Sequence, residues 1–151
     1  MKPPYKAADF SLIGSDDERH ELKEYHGSWL VVYVYPEDDT PGCTVEACSI
    51  RDSHRELIDA GVRILGVSMD TPESHRAFRD KHNLPFVLLS DPTGAMIRAY
   101  GAWGKKMFGH EGIQRKTFII DPEGVVQKVY GRVNPIGHGD QLLQDIRQLQ
   151  N

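Results

Sequence analysis

Apolar and polar positions along the chain alternate between strand-like and helix-like patterns. Ser28 to Tyr35 contains Trp29-Leu30-Val31-Val32-Tyr33-Val34-Tyr35, an almost unbroken β-branched and aromatic run. Such a run predicts a strand covered on both faces. Pro36 ends it, and Asp38-Asp39-Thr40-Pro41-Gly42 is dense in turn-forming residues. From Cys43 to Ala60, spacings of three and four predict one helix, with Gly61 as its stop. Val62 to Met69 reads as a second strand. Thr71-Pro72 predicts an N-cap with proline in the first turn of a helix running toward Asn83. Phe86 to Leu89 is a third, short strand. Asp91-Pro92 repeats the cap-plus-proline signature and predicts a helix to about Tyr100. Lys116 to Ile120, the turn Asp121 to Gly124 and Val125 to Tyr130 predict a hairpin. Asp140 to Leu149 reads as a closing helix with Leu142, Leu143, Ile146 and Leu149 on one face.

The order β-α-β-α-β-α-β-β-α implies right-handed crossovers between parallel strands. The closing hairpin adds an antiparallel part. The expected class is α/β, a mixed central sheet flanked by helices on both faces. No repeat, low-complexity tract or linker divides the 151 residues, so one domain over 1–151 is expected. A chain of this length can bury about 68–70% of its unfolded surface and needs no disulfide staple.

Composition narrows the function. With 39% hydrophobic and 26% charged residues, the chain does not read as disordered. A net charge of −4 lacks the basic footprint of a nucleic-acid binder. No apolar run approaches the roughly 20 residues that span a bilayer, which argues against a membrane protein. The opening Met1-Lys2-Pro3-Pro4-Tyr5 lacks the apolar core of a secretory signal, so a cytoplasmic location is expected.

The two cysteines, Cys43 and Cys48, are close together in sequence. In a reducing compartment such a pair points to redox or metal chemistry rather than a permanent staple, or else to two inert buried thiols. Cys43 follows turn chemistry at a predicted helix start. Unpaired N–H groups and the macrodipole there favour an anion, and the thiolate is the reactive form of cysteine. Cys48 lies five positions on. In an ideal helix the two Cα atoms are roughly 8–9 Å apart, beyond disulfide reach. A bond between them requires the first turns to unwind, which suits a reaction cycle better than a static link.

Thr40-Pro41-Gly42-Cys43-Thr44 with Glu46-Ala47-Cys48 resembles the peroxiredoxin Q family, also called bacterioferritin comigratory protein. The resemblance extends to Asp9-Phe10-Ser11-Leu12, Gly66-Val67-Ser68-Met69-Asp70, Leu84-Pro85-Phe86, Tyr100 to Gly104 and Gly112 to Asp121. It implies a thioredoxin-like fold and a thiol-dependent peroxidase. It implies that Cys43 reduces a hydroperoxide and becomes a sulfenic acid, and that Arg115 holds the thiolate and polarises the peroxide. Thr40 would hydrogen-bond the thiolate and the peroxide, and Pro36 and Pro41 would shape and shield the loop. Gly42 would let its backbone approach the peroxide, and Glu46 reads as partly structural. Cys48 would resolve the sulfenic acid as an intramolecular disulfide, which thioredoxin or a similar dithiol would reopen. A monomer is the expected state, with a dimer left open, and no cofactor is expected.

Other motifs carry less. The seven histidines show no metal-binding spacing, so no metal is expected. His75 and His82 read as solvated positions on one helix. Lys105-Lys106-Met107-Phe108 reads as an ordinary packed loop, with an active-site flank or partner surface as the alternative. Two other functions compete: a thiol–disulfide oxidoreductase, disfavoured by Cys-x4-Cys in place of Cys-x-x-Cys, and a sensor that reacts once with peroxide.

Overall fold

A computed structural model describes residues 2–106 and 109–151. Met107 and Phe108 of the Lys105–Phe108 loop lie outside the described residues. Eight strands form one mixed sheet in the order β1-β10-β9-β4-β5-β6-β2-β3. They are β1 (Tyr5–Lys6), β2 (Ser11–Gly14), β3 (Arg19–Glu21), β4 (Trp29–Val34), β5 (Val62–Ser68), β6 (Val87–Ser90), β9 (Lys116–Ile120) and β10 (Val125–Tyr130). β7 (Trp103–Lys105) and β8 (Glu111–Ile113) make a separate hairpin. β4, β5 and β6 run parallel, as the helical crossovers predict, while β9 lies antiparallel to both β4 and β10. The short strands β1, β3, β7 and β8 escape the sequence pattern, because two or three residues show no period.

The apolar run of β4 behaves as a doubly covered strand. Leu30, Val32 and Val34 enter one core, and Val31 and Tyr33 enter the other, joined by Tyr35 just beyond the strand. All six are at most 1% exposed. Burying such a side chain contributes about 1.5–3 kcal/mol. The first core takes Met96 and Ile97 from α4 (Ala95–Ala99); the second takes Ala47 and Ile50 from α1 (Pro41–Asp52), Phe78 from α3 (Pro72–His82) and Leu142 from α5 (His138–Gln150). Helices therefore contribute to both cores, as the pattern predicts. None among the described residues is long and apolar enough to cross a membrane.

Three helix expectations need correction. The helix predicted over Cys43 to Ala60 is two, α1 and α2 (His54–Asp59), broken at Ser53. The Ser53 hydroxyl bonds Asp140 on α5 at 3.0 Å, so tertiary contact holds the break. The Asp91-Pro92 helix starts later, at Ala95, because Asp91 to Gly94 closes a turn with Gly94 at φ +73°. Asp91 still accepts from a helix amide, that of Ile97 at 2.9 Å. Leu149 is 36% exposed and lies off the buried stripe of Leu142, Leu143 and Ile146. The Thr71-Pro72 cap forms as predicted, with Thr71 accepting from the Ser74 amide at 3.1 Å, and α3 ends at Asn83 in the left-handed region.

The N-terminal turn of α5 docks on one face of α1. Gly139 N–H donates to the Ser49 hydroxyl at 2.9 Å. A Cβ on Gly139 would collide with the Ser49 carbonyl, so only glycine fits this crossing.

Candidate active site

Cys43 is the third residue of α1, two steps further in than the sequence pattern suggests. Thr40 is the cap position and Pro41 opens the helix, where a missing N–H costs nothing. The first turn leaves the Gly42 and Cys43 amides without an intrahelical acceptor. The Cys43 side chain packs with Tyr33, Tyr35 and Ala47 and is 1% exposed. Cys48 is partly exposed, and both thiols are free.

Sheet register brings Arg115 to this helix. Val34 pairs with Lys116, so Arg115, one residue before β9, lies beside the end of β4, where the loop to α1 departs. Arg115 Nη2 donates to Cys43 Sγ at 3.2 Å, and Nη1 donates to Glu46 Oε1 at 2.6 Å. Gly42 sits against the guanidinium, since a Cβ there would meet Nη2 at 3.1 Å. Burial opposes the Arg115 charge, yet Glu46 and Cys43 outweigh it and hold the guanidinium proton more tightly than usual.

Thr40 and Pro36 are half-buried in the loop between β4 and α1. The Thr40 hydroxyl donates to the Glu37 carbonyl at 3.1 Å, so its hydrogen is directed at the loop rather than at the thiol. Cys43, Arg115 and Glu46 are thus joined by hydrogen bonds, while Thr40 and Pro36 stand in the β4–α1 loop and neither bonds the sulfur. A surface cavity of about 570 Å³ lined by Phe10, Leu12, Arg19, Asp91 and Met96 contains neither cysteine.

Sequence reasoning treated Glu46 as partly structural and missed its partners. The residue is fully buried on the first turns of α1. Its Oε2 has no hydrogen bond and lies 3.9 Å from Nε2 of buried His138. His138 bonds the Thr117 hydroxyl at 2.9 Å and Gln141 at 3.0 Å. Only register could have found this set, because its members lie on α1, β9 and α5.

Burial pushes Glu46 up to about 7, with Arg115 acting against the shift. Between the ordinary 4.5 and about 7 the folded protein therefore holds a proton that the unfolded chain has released. Stability from this group falls as pH rises through that window, by roughly 3 kcal/mol at most. His138 runs the other way. Burial lowers it, so its contribution is lost as pH falls through its unfolded value. Glu46→Gln keeps an acceptor for Arg115 and is expected to remove the Glu46 slope. Urea unfolding from pH 4.5 to 8 checks this, and parallel wild-type and variant curves would refute it.

The AhpC/TSA family matches residues 4–129. Peroxiredoxin Bcp from Bacillus subtilis (strain 168) is 44% identical over 147 residues, covering 95% of this chain and 94% of the relative. Peroxiredoxin Bcp from Escherichia coli (strain K12) is 40% identical over 152 residues, covering 96% and 97%. The structure superposes on Xanthomonas campestris bacterioferritin comigratory protein with a TM-score of 0.90 at 36% identity, covering 94% and 92%. It also superposes on a cysteine-to-serine variant of Xylella fastidiosa PrxQ with a TM-score of 0.92 at 26% identity, covering 100% of both chains. These neighbours bear out the thioredoxin-like fold. With a buried thiol that accepts from a guanidinium and likeness along nearly the whole chain, the protein belongs to the AhpC/TSA family, among the peroxiredoxins of the Bcp and Q type, and is a thiol peroxidase.

Proposed function

We propose that the chain reduces hydrogen peroxide and organic hydroperoxides through Cys43 and is recycled through Cys48. The observation that carries this reading is the 3.2 Å bond from Arg115 Nη2 to Cys43 Sγ, which sets a permanent positive charge and a donor against the sulfur. The sulfur bonds to the distal peroxide oxygen as the O–O bond breaks. Two electrons pass from sulfur to the peroxide, and the leaving oxygen takes a proton from water. Arg115 stabilises the charge that develops on that oxygen. Thr40 donates to Glu37, which leaves its lone pairs free to accept from the peroxide O–H. Pro36 shields one side of the loop. The Xanthomonas campestris relative reduces alkyl peroxides, which supports the organic substrates.

The Cys48 thiolate then attacks the sulfenic sulfur, forming the S–S bond and expelling hydroxide, which leaves as water. A dithiol such as thioredoxin reduces this disulfide by exchange. Two free thiols suit a reducing compartment, here the cytoplasm, and the intramolecular disulfide suits a monomer. Peroxide turnover with a thioredoxin system tests the reading. Repeated turnover supports it, whereas a single equivalent consumed identifies a sensor.

Cys48→Ser is expected to keep the first step and stop cycling. Its sulfenic acid should persist, react with a dimedone-type probe and over-oxidise at high peroxide. Oxidised wild type should run at monomer mass and show faster amide exchange at residues 44–47, because both cysteines sit on continuous α1 and must unwind it to meet. An oxidised protein found only as a disulfide-linked dimer, or with α1 fully protected, overturns intramolecular resolution.

A further inference from the structure

The loop that carries Thr40 toward the thiol is held from behind by a buried polar group that the chemistry above does not use. Asp38 lies five residues before Cys43, and its side chain is 4% exposed. Its carboxylate accepts from the Tyr35 hydroxyl at 2.5 Å, from Ser74 at 2.8 Å and from His75 Nδ1 at 2.8 Å. Its own amide donates to Asp70 Oδ2 at 2.8 Å, and Asp70 is held in turn by the Ser68 hydroxyl at 2.7 Å. The sequence expectation of a solvated His75 is wrong, since its side chain is 0% exposed. Its second nitrogen, Nε2, faces the Leu89 carbonyl at 3.0 Å. Both ring nitrogens therefore face acceptors, and the ring ties the loop on one side to the end of β6 on the other.

The neighbouring Asp39 is exposed, and α3 holds it too. Lys81 Nζ reaches it at 2.7 Å and His82 Nε2 at 3.3 Å. These surface contacts are worth little beside the buried one. The pin is Asp38 on His75.

Resting on the peroxidase reading above, we propose that His75 is a positioning residue for the Cys43 reaction. It acts through Asp38 on the placement of Thr40 and Pro36 and touches neither thiol nor substrate. The charged and titratable groups around the pair are Asp70 from β5's end, Tyr35 from β4's end and Asp38 itself. With Ser74 and the Leu89 carbonyl, they leave the His75 ring one geometry. A displacement of about 1 Å in a reacting array can cost up to about 100-fold in rate, which is the scale on which a slack loop should be felt.

Two substitutions separate positioning from simple support. In His75→Asn the amide nitrogen reaches the place of Nδ1, keeping the Asp38 bond and losing that to Leu89. In His75→Gln it reaches the place of Nε2, keeping Leu89 and losing Asp38. Both remove one buried bond and should lower the melting temperature alike. The second-order rate of Cys43 with hydrogen peroxide should stay within about threefold of wild type in His75→Asn and fall by about tenfold to 100-fold in His75→Gln. Amide exchange at residues 37–40 should quicken in the glutamine variant alone. Equal rates in the two variants, whether both normal or both reduced, overturn the proposal. If His75→Gln does not fold, Asp38→Ala, which removes the acceptor for Nδ1, should show the same rate loss, and a normal rate there overturns the proposal equally. A wild-type protein that forms no sulfenic acid overturns the peroxidase reading instead, and the exchange measurement then still decides whether His75 pins the loop.

Discussion

Cys43→Ser is expected to abolish peroxide consumption, leaving no measurable single-turnover reaction with the variant at equal concentration. The substitution is nearly isosteric at a position 1% exposed, so the fold should survive. The chemistry should not. A serine hydroxyl holds its proton at neutral pH, and one guanidinium donor cannot make an alkoxide from it. The oxygen also lacks the sulfur's capacity to accept a transferred oxygen atom and remain bonded to the chain. Stopped-flow peroxide decay with circular dichroism as the folding control checks this. Near-normal decay in the serine variant would remove Cys43 from the reaction.

Arg115→Ala should slow the first step by 10²–10³, or about 2.7–4 kcal/mol of barrier, the scale for losing one preorganised donor at developing charge. Arg115→Lys should recover only part of this. One ammonium cannot reproduce the fork that spans Sγ and Glu46 Oε1. The alanine variant should also lose stability, because Glu46 is left buried without its cation. Breaking a buried pair typically costs about 3–5 kcal/mol. Here the loss should fall below that range, since a carboxyl pushed up to about 7 can take a proton instead. The Arg115→Ala/Glu46→Gln double variant separates the two effects: stability should return and the rate should not. A wild-type rate in Arg115→Ala would make Arg115 a surface residue with a structural partner.

The strands β4, β5, β9 and β10 were legible from the sequence because each is long enough for its period to show. The Thr71-Pro72 cap was legible because its signal is local. The break at Ser53 was not, since Asp140 stabilises it across 87 residues. The motif around Cys43 pointed to the thiol, and likeness to a family pointed to Arg115. Neither gave the partners of Glu46 or the burial of His138 and His75, which depend on which strands pair and which helix faces cross. Ordinary sequence statistics place histidine near the surface, and His75 departs from them because two acceptors and the end of a sheet enclose it.

The partners of Cys43 are spread along the chain in a way that affects its biosynthesis. Glu46 lies within the same helix, but Arg115 follows 72 residues after the thiol, and the α5 turn that packs on α1 comes later still. A ribosome-bound chain that has just emerged through α1 carries an ordinary cysteine with no guanidinium beside it. On the proposed role of Cys43, activation would arrive only when β9 adds to β4, one of the last pairings translation allows. The growing polypeptide would then meet peroxide as an ordinary thiol at a stage when Cys48 has no folded framework, and peroxide reactivity would be a late marker of completed folding.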